Sequence, residues 1–272
     1  MLPDHGTLLV FTDLHGNAAD LARAEQIFHR RRREDPETHA VFLGDLVHGP
    51  DDMMLQDFPE YDYEDRSRDV AQGVARLLAE HPGRVHLVLG NHDWGHVGGP
   101  HTCRFHEDEV RYLEQQLDGD QLQTLQRMFE AAPLMLLAPC GVLLSHGSPD
   151  NSLESLAQLE GLDLRLSSNS AAGARVLTSV LTSYGQQPDV TDRLLGTLSR
   201  ETGLHLNVVV HGHDRDPDGW YSEFHNQLQT VIFGAPDHNK RYLELDLSAR
   251  YRSVDDMKEG REIKHLHRRA RT

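Results

Sequence analysis

Short apolar runs that end in polar signatures recur along the chain. LLVFTD (8–13) closes on a carboxylate, and the stretch after it carries helical spacing through Leu21, Ala24 and Phe28, so a strand, a tight loop and a helix are predicted. HAVFLGD (39–45) repeats the pattern. An acidic insert follows, then a helix over 67–81 (Val70, Val74, Leu77, Leu78) and an apolar run in RVHLVLGNHD (84–93). This alternation of strand and helix argues for an α/β architecture. GVLLSHG (141–147), LNVVVHGH (206–213), QTVIFGAP (229–236) and RYLELDL (241–247) are bounded by Gly, Pro or Asp and make the C-terminal third strand-rich. A long amphipathic helix near 107–131 and a second near 189–202 (Val190, Leu194, Leu195, Leu198) fill the remainder.

At 272 residues and 38% hydrophobic content, the chain has enough apolar surface for one enzyme-sized core. A single domain over 1–250 is expected, with no repeat or dividing linker. Within it, 51–69 (DDMMLQDFPEYDYEDRSRD) reads as a solvated acidic insertion. The segment 251–272 carries Lys258, Arg261, Lys264, Arg268, Arg269 and Arg271 without a sustained apolar face, so a flexible basic tail is expected. The run Arg30 to Arg33 reads as a solvated helix end.

A formal charge of −16 repels nucleic-acid backbones and argues against a nucleic-acid partner. No stretch approaches the roughly 18 to 20 consecutive apolar residues of a membrane span, and the N-terminal residues lack a basic-then-apolar signal pattern. A soluble cytoplasmic protein without a membrane partner is expected. The cysteines, Cys103 and Cys140, have neither CxxC nor zinc-finger spacing and read as ordinary reduced thiols.

The 19 histidines matter for where they fall. Five predicted strands end in TDLHGN, GDLVHG, GNHD, SHGS and HGHD, at the sheet edge where open α/β folds bind ligands. Each signature supplies Asp, Asn or His, the oxygen and imidazole donors that suit Mn²⁺, Fe or Zn²⁺. Each neighbouring Gly lets backbone approach an ion or a phosphate. Singly these are weak signals; together they describe a metal site spread over five loops.

The ordered set D-x-H, GD, GNHD, H-G and GH resembles the calcineurin-like metallophosphoesterase superfamily. Within it, HGHDRDPDGWYSEFHNQLQTVIFGAPD and LLSHGSPD resemble the serine/threonine-type phosphoprotein phosphatases, and SYGQQ (183–187) sits at that family's aromatic-Gly segment. The resemblance spans roughly 7–247 and implies a four-layer αββα sandwich of two mixed β-sheets. It also implies a dinuclear centre of divalent ions, Mn²⁺ or an Fe/Zn pair: Asp13 and His15 on the first metal, Asp45 bridging, and Asn91, His146 and His213 on the second. His92 would protonate the leaving oxygen, and the two cations would acidify a bridging water and clamp the phosphoryl group. The implied substrate is a phosphorylated protein or a small phosphomonoester. A nucleotide, cleaved by a symmetrical dinucleoside polyphosphatase or a phosphodiesterase, is the alternative.

The resemblance breaks at GDLVHGPDD, where His48 replaces an Asp-Arg pair that would orient the catalytic imidazole and fork onto phosphate. Asp51, Asp52 or Asp93 is expected to supply the carboxylate and Arg175 to reach phosphate. His48, His238 and Arg215 are further substrate-facing expectations, with Asp93 and His211 behind the ligands. His96, His101 and His106 are expected in loop or rim positions.

Overall fold

The computed structural model describes residues 1–50, 63–222 and 224–267. Among them the apolar runs form ten strands: β1 (Thr7–Phe11), β2 (His39–Phe42), β3 (Val85–Leu87), β4 (Met135–Ala138), β5 (Val142–Ser145), β6 (Val208–His211), β7 (Trp220–Tyr221), β8 (Gln227–Thr230), β9 (Arg241–Asp246) and β10 (Ile263–His265). They make two five-stranded sheets, ordered β10-β9-β1-β2-β3 and β4-β5-β6-β8-β7. Both sheets are mixed. β1, β2 and β3 run parallel with β9 and β10 added antiparallel, and β5, β6 and β8 run parallel between antiparallel β4 and β7.

Seven α-helices occur among the described residues: α1 (Ala18–Glu34), α2 (Ser67–Glu80), α3 (Asn91–Trp94), α4 (Glu109–Glu114), α5 (Gly119–Glu130), α6 (Ala171–Thr182) and α7 (Pro188–Thr202). Successive side chains of a strand point to opposite faces, and the cores follow that parity. Leu8, Val10, Val41 and Leu243 meet Val142, Leu144, Val208 and Val210 between the sheets. Leu9, Phe11 and Phe42 turn the other way, beneath Ile27 and Phe28 of α1, Val74 of α2 and Phe129 of α5. Leu143 and Val209 face Val180 of α6 and Leu198 of α7. The result is the expected αββα sandwich. Its central strands are buried on both faces, which is why they read as unbroken apolar runs. No helix among the described residues is long and apolar enough to cross a membrane.

Several local expectations need correction. The long helix expected over 107–131 is two helices, because Asp118 starts a new one: its side chain accepts from Gln121 N while Gln121 Oε1 accepts from Asp118 N. The strand expected at 229–236 is displaced to β8, and Val231, Ile232 and Phe233 form a buried loop instead. β4 and α6 were not anticipated. Residues 51–62 of the acidic insert lie outside the described residues, while the insert's end opens α2, where Asp65 Oδ1 accepts from the N–H (2.9 Å) and the hydroxyl (2.6 Å) of Ser67.

The basic tail is not frayed over its described part. β10 pairs with β9, and Tyr251, Val254, Met257, Ile263 and Leu266 are buried. Its charges find acidic partners, Lys264 Nζ at 2.7 Å from Glu244 and Arg261 Nε at 2.6 Å from Glu262. Spaced apolar anchors among paired charges carry no periodic face, so composition alone suggested a tail. Residues 268–272 lie outside the described set.

Candidate metal centre

The loops after β1, β2, β3, β5 and β6 gather at one edge of the sandwich. Their backbones bond to each other: Asp13 N to Gly44 O at 3.2 Å, His15 N to Asp45 O at 2.9 Å, and Gly212 N to His146 O at 2.9 Å. Asp13, His15, Asp45, His48 and His213 all take positive φ, between 43° and 73°, and no other non-glycine residue among those described does. Asp and His tolerate this region better than bulkier types, but it is still strained. Glycine is required where loops touch: a Cβ on Gly212 would sit 2.4 Å from Asp13 Oδ2, and one on Gly90 2.4 Å from Asp45 Oδ1.

Asp45 is central to the donor set. Its Oδ2 lies 3.5 Å from His15 Nε2 and 3.3 Å from His146 Nε2. Asn91 Oδ1 stands 2.9 Å from His146 Nε2 and 2.8 Å from His213 Nδ1. Asp45 belongs to two groups whose donor atoms fall within 4.8 Å of one another, one with His15 and His92, the other with His146 and His213. The ring orientations suit coordination. Nδ1 of His15 points at His48 O (2.9 Å) and Nδ1 of His146 at Leu43 O (2.7 Å). A carbonyl only accepts, so each Nδ1 carries a proton and each Nε2 is turned toward Asp45.

The charge balance of this cluster is that of a site built for cations. Burial, helped by Asp45, pushes the Asp13 carboxyl up to about 7, and its buried Oδ2 has no hydrogen-bond partner. Burial works to lower the His146 pKa, but Asp45 reverses this and raises it to about 9. Burial opposes the charge of Asp45 too, yet His146 and His92 hold its pKa well below the usual range. Burial depresses His15 to about 3 and His213 to about 4, which keeps both imidazoles neutral as metal binding demands. Asp, Asn and neutral His around an orphaned carboxylate oxygen fit divalent first-row ions.

His92 lies beside this set. Its backbone N–H donates to Asp45 Oδ1 at 2.9 Å, and its Nδ1 is 3.2 Å from Oε2 of Glu109, the first residue of α4, which is 0% exposed. Burial alone would lower the His92 pKa; Asp45 and Glu109 raise it. Sequence reasoning missed Glu109, which belongs to no motif and reads as one more charge on an amphipathic helix. Asp93, proposed for that task, is spent on backbone, its carboxylate accepting from Leu46 N (2.9 Å) and Gly90 N (3.2 Å). Asp51 and Asp52 lie outside the described residues.

The expected substrate-facing residues divide. His48 is 2% exposed and packed between His92 (Nδ1 to Nδ1, 3.2 Å) and His96 (Nε2 to Nε2, 3.0 Å). His96 is likewise buried behind the site and reaches Glu114 at 3.0 Å, contrary to a rim position. His101 is exposed and pairs with Asp108, and His106 stacks on Tyr112. His238 is exposed and has no hydrogen bond to the six donor residues among the described residues. Arg175, exposed on α6, lines a cavity of about 700 Å³ with Asp150, Ser152 and Ser179 rather than the donor cluster. Arg215 lies over Gly234, next to Phe233, whose ring is 4.1 Å from that of His15. His211 is buried on β6, with its Nδ1 3.0 Å from Gly212 O. Tyr184, 59% exposed, stands 5.0 Å from the His213 ring at the mouth.

Residues 6–217 match the family model described as calcineurin-like phosphoesterase, which covers more than half of the chain and all five loops. The chain belongs to that family. As a calcineurin-like phosphoesterase it is a metal-dependent phosphoester hydrolase with a candidate dinuclear His/Asp site. Its fold is shared with a protein serine/threonine phosphatase from Saccharomyces cerevisiae (TM-score 0.60, 19% identity, 90% of this chain and 73% of that one). It is shared equally with a cold-active protein-tyrosine phosphatase of a psychrophilic Shewanella species (TM-score 0.59, 16% identity, 91% and 78%).

Proposed function

We propose that this calcineurin-like phosphoesterase is a phosphomonoesterase of the protein serine/threonine phosphatase type. In this reading Asp13, His15, Asp45, Asn91, His146 and His213 hold two divalent ions, Mn²⁺ or an Fe/Zn pair, with Asp45 shared between them. When bound, the ions acidify a water and offset charge on the phosphoryl oxygens. His92, with Glu109 Oε2 3.2 Å from its Nδ1, donates a proton through its other nitrogen to the departing alkoxide, which leaves poorly unless protonated. The observation that carries the reading is the placement of His92, buried at the edge of the donor set with its backbone N–H on Asp45 Oδ1, its Nδ1 3.2 Å from Glu109 Oε2 and its ring grouped with Asp45 and His15. A phosphorylated protein or a small phosphomonoester is the substrate. A cytoplasmic location belongs to the same reading, supported by two free thiols, Cys103 and Cys140.

The test is hydrolysis of a phosphoserine peptide and of 4-nitrophenyl phosphate by Mn²⁺-loaded protein. Activity lost in Asp45→Asn and His92→Ala is the expected result. Inertness of the loaded wild type toward both would overturn the proposal, and a higher kcat/KM on diadenosine tetraphosphate would move the assignment to nucleotides.

A further inference from the structure

The loop between Gly98 and α4 places one cation beside the donor cluster. Arg104 is exposed, and its guanidinium carbon lies 5.3 Å from the ring centre of Phe105 and 5.6 Å from that of Phe233. Both rings pack on His15, at 5.8 and 4.1 Å. Arg104 is also close enough for its charge to act on His15. Among the described residues no carboxylate forms an ion pair with it. Its other neighbours are aromatic faces, which orient a guanidinium while leaving its N–H fork free.

The loop is not free to wander. Glu109 Oε1 accepts from the N–H of Arg104 at 3.1 Å and of Phe105 at 2.7 Å, while its Oε2 faces His92. One buried carboxylate therefore fixes the position of Arg104 relative to the imidazole. In the β2 loop His48 stands where the resemblance expects an Asp-Arg pair and Arg66 is paired with Asp69, while Arg175 lines another cavity and Arg215 lies over Gly234.

Resting on the hydrolase reading above, we infer that Arg104 is the phosphate-gripping residue of this site and that it selects dianionic phosphomonoesters over monoanionic diesters. A planar fork matches two oxygens of a tetrahedral dianion, and on a chain of net charge −16 a cation at the mouth also offsets long-range repulsion of that anion.

The probe is inorganic phosphate titrated calorimetrically into Mn²⁺-loaded protein. Arg104→Ala is expected to weaken phosphate binding about 10- to 100-fold, the range of a lost charge-assisted hydrogen bond, and Arg104→Lys to recover part of it. Metal stoichiometry should not change, since Arg104 is exposed. With esters, Arg104→Ala should raise KM for 4-nitrophenyl phosphate and leave bis(4-nitrophenyl) phosphate within about twofold. Failure of the wild type to bind phosphate, or an unchanged Kd in Arg104→Ala, would overturn the assignment. Wild type that binds phosphate through Arg104 and hydrolyses neither ester would overturn the hydrolase reading alone.

Discussion

The backbone N–H of His213 donates to Oδ1 of Asp13 at 3.0 Å, tying the β6 loop of one sheet to the β1 loop of the other, while Oδ2 of the same carboxylate has no hydrogen-bond partner. An uncompensated carboxylate at a junction between sheets makes stability depend on a bound cation. At a hundredfold excess over its Kd, Mn²⁺ should add about 2.7 kcal/mol, which for a chain of this size raises Tm by about 5–10 °C. Asp45→Asn should lose most of the rise, and a chelator should reverse it in the wild type. Scanning calorimetry reads both.

Glu109 Oε2 faces His92 while Oε1 anchors the Arg104 loop, an acceptor that glutamine keeps, so the cost of Glu109→Gln should depend on how much the leaving group needs a proton. Glu109→Gln is expected to lower kcat about 10- to 100-fold on phenyl phosphate and far less on 2,4-dinitrophenyl phosphate, with KM nearly constant. His92→Asn should cost about 10² to 10⁴-fold with the same dependence. A uniform loss across leaving groups would instead mark Glu109 as a loop anchor only.

A pH dependence follows from His39, buried on β2. Its Nε2 accepts from Arg84 at 2.9 Å, so Nδ1 carries the proton toward His86 at 3.3 Å. Burial, then the neighbouring His86 and Arg84, depress its pKa to about 4. Between about 6.5 and 4 the unfolded chain takes up a proton that the folded one refuses, so the stability from neutral His39 is full above that window and is lost as pH falls through it. His39→Gln should flatten this part of the curve of urea midpoint against pH. A slope equal to that of the wild type would refute the account.

Lys240 and Asp20 form a buried pair at 2.7 Å, with side chains 3% and 2% exposed, and His267 and Asp237 close the group at 2.7 and 2.8 Å. Three segments meet there around the Lys240 ammonium: α1, the loop between β8 and β9, and the residues after β10. Lys240→Ala leaves buried Asp20 with the His267 imidazole as its remaining partner and should destabilise by about 3 kcal/mol, whereas Lys240→Met with Asp20→Leu should recover most of it. Urea unfolding at fixed Mn²⁺ measures the difference.

The proposed metal donors were legible because each lies within a few residues of a strand end, where an apolar run announces its own boundary. Asp13, Asp45, Asn91 and His146 are local features of local patterns. Glu109 and Arg104 are not: their loop reaches His92 and His15 only through tertiary packing, and neither residue stands in a recurring signature. α6 was hidden because Gly173, Thr178 and Ser179 dilute its apolar face, and β10 because charges surround Ile263. His48 is a related case. Its place in a motif fixed where its backbone lies but not that its ring turns inward, to 2% exposure.

The five left-handed residues also bear on how this scaffold responds to engineering. Each non-glycine residue in that region costs about 1–3 kcal/mol, so glycine at these positions would ease the backbone and favour the cation-free fold. Four of the five, Asp13, His15, Asp45 and His213, belong to the donor set, leaving His48 as the one outside it. Selection for heat resistance alone would therefore drift toward a sturdier protein with an empty mouth, and selection for turnover would hold it back.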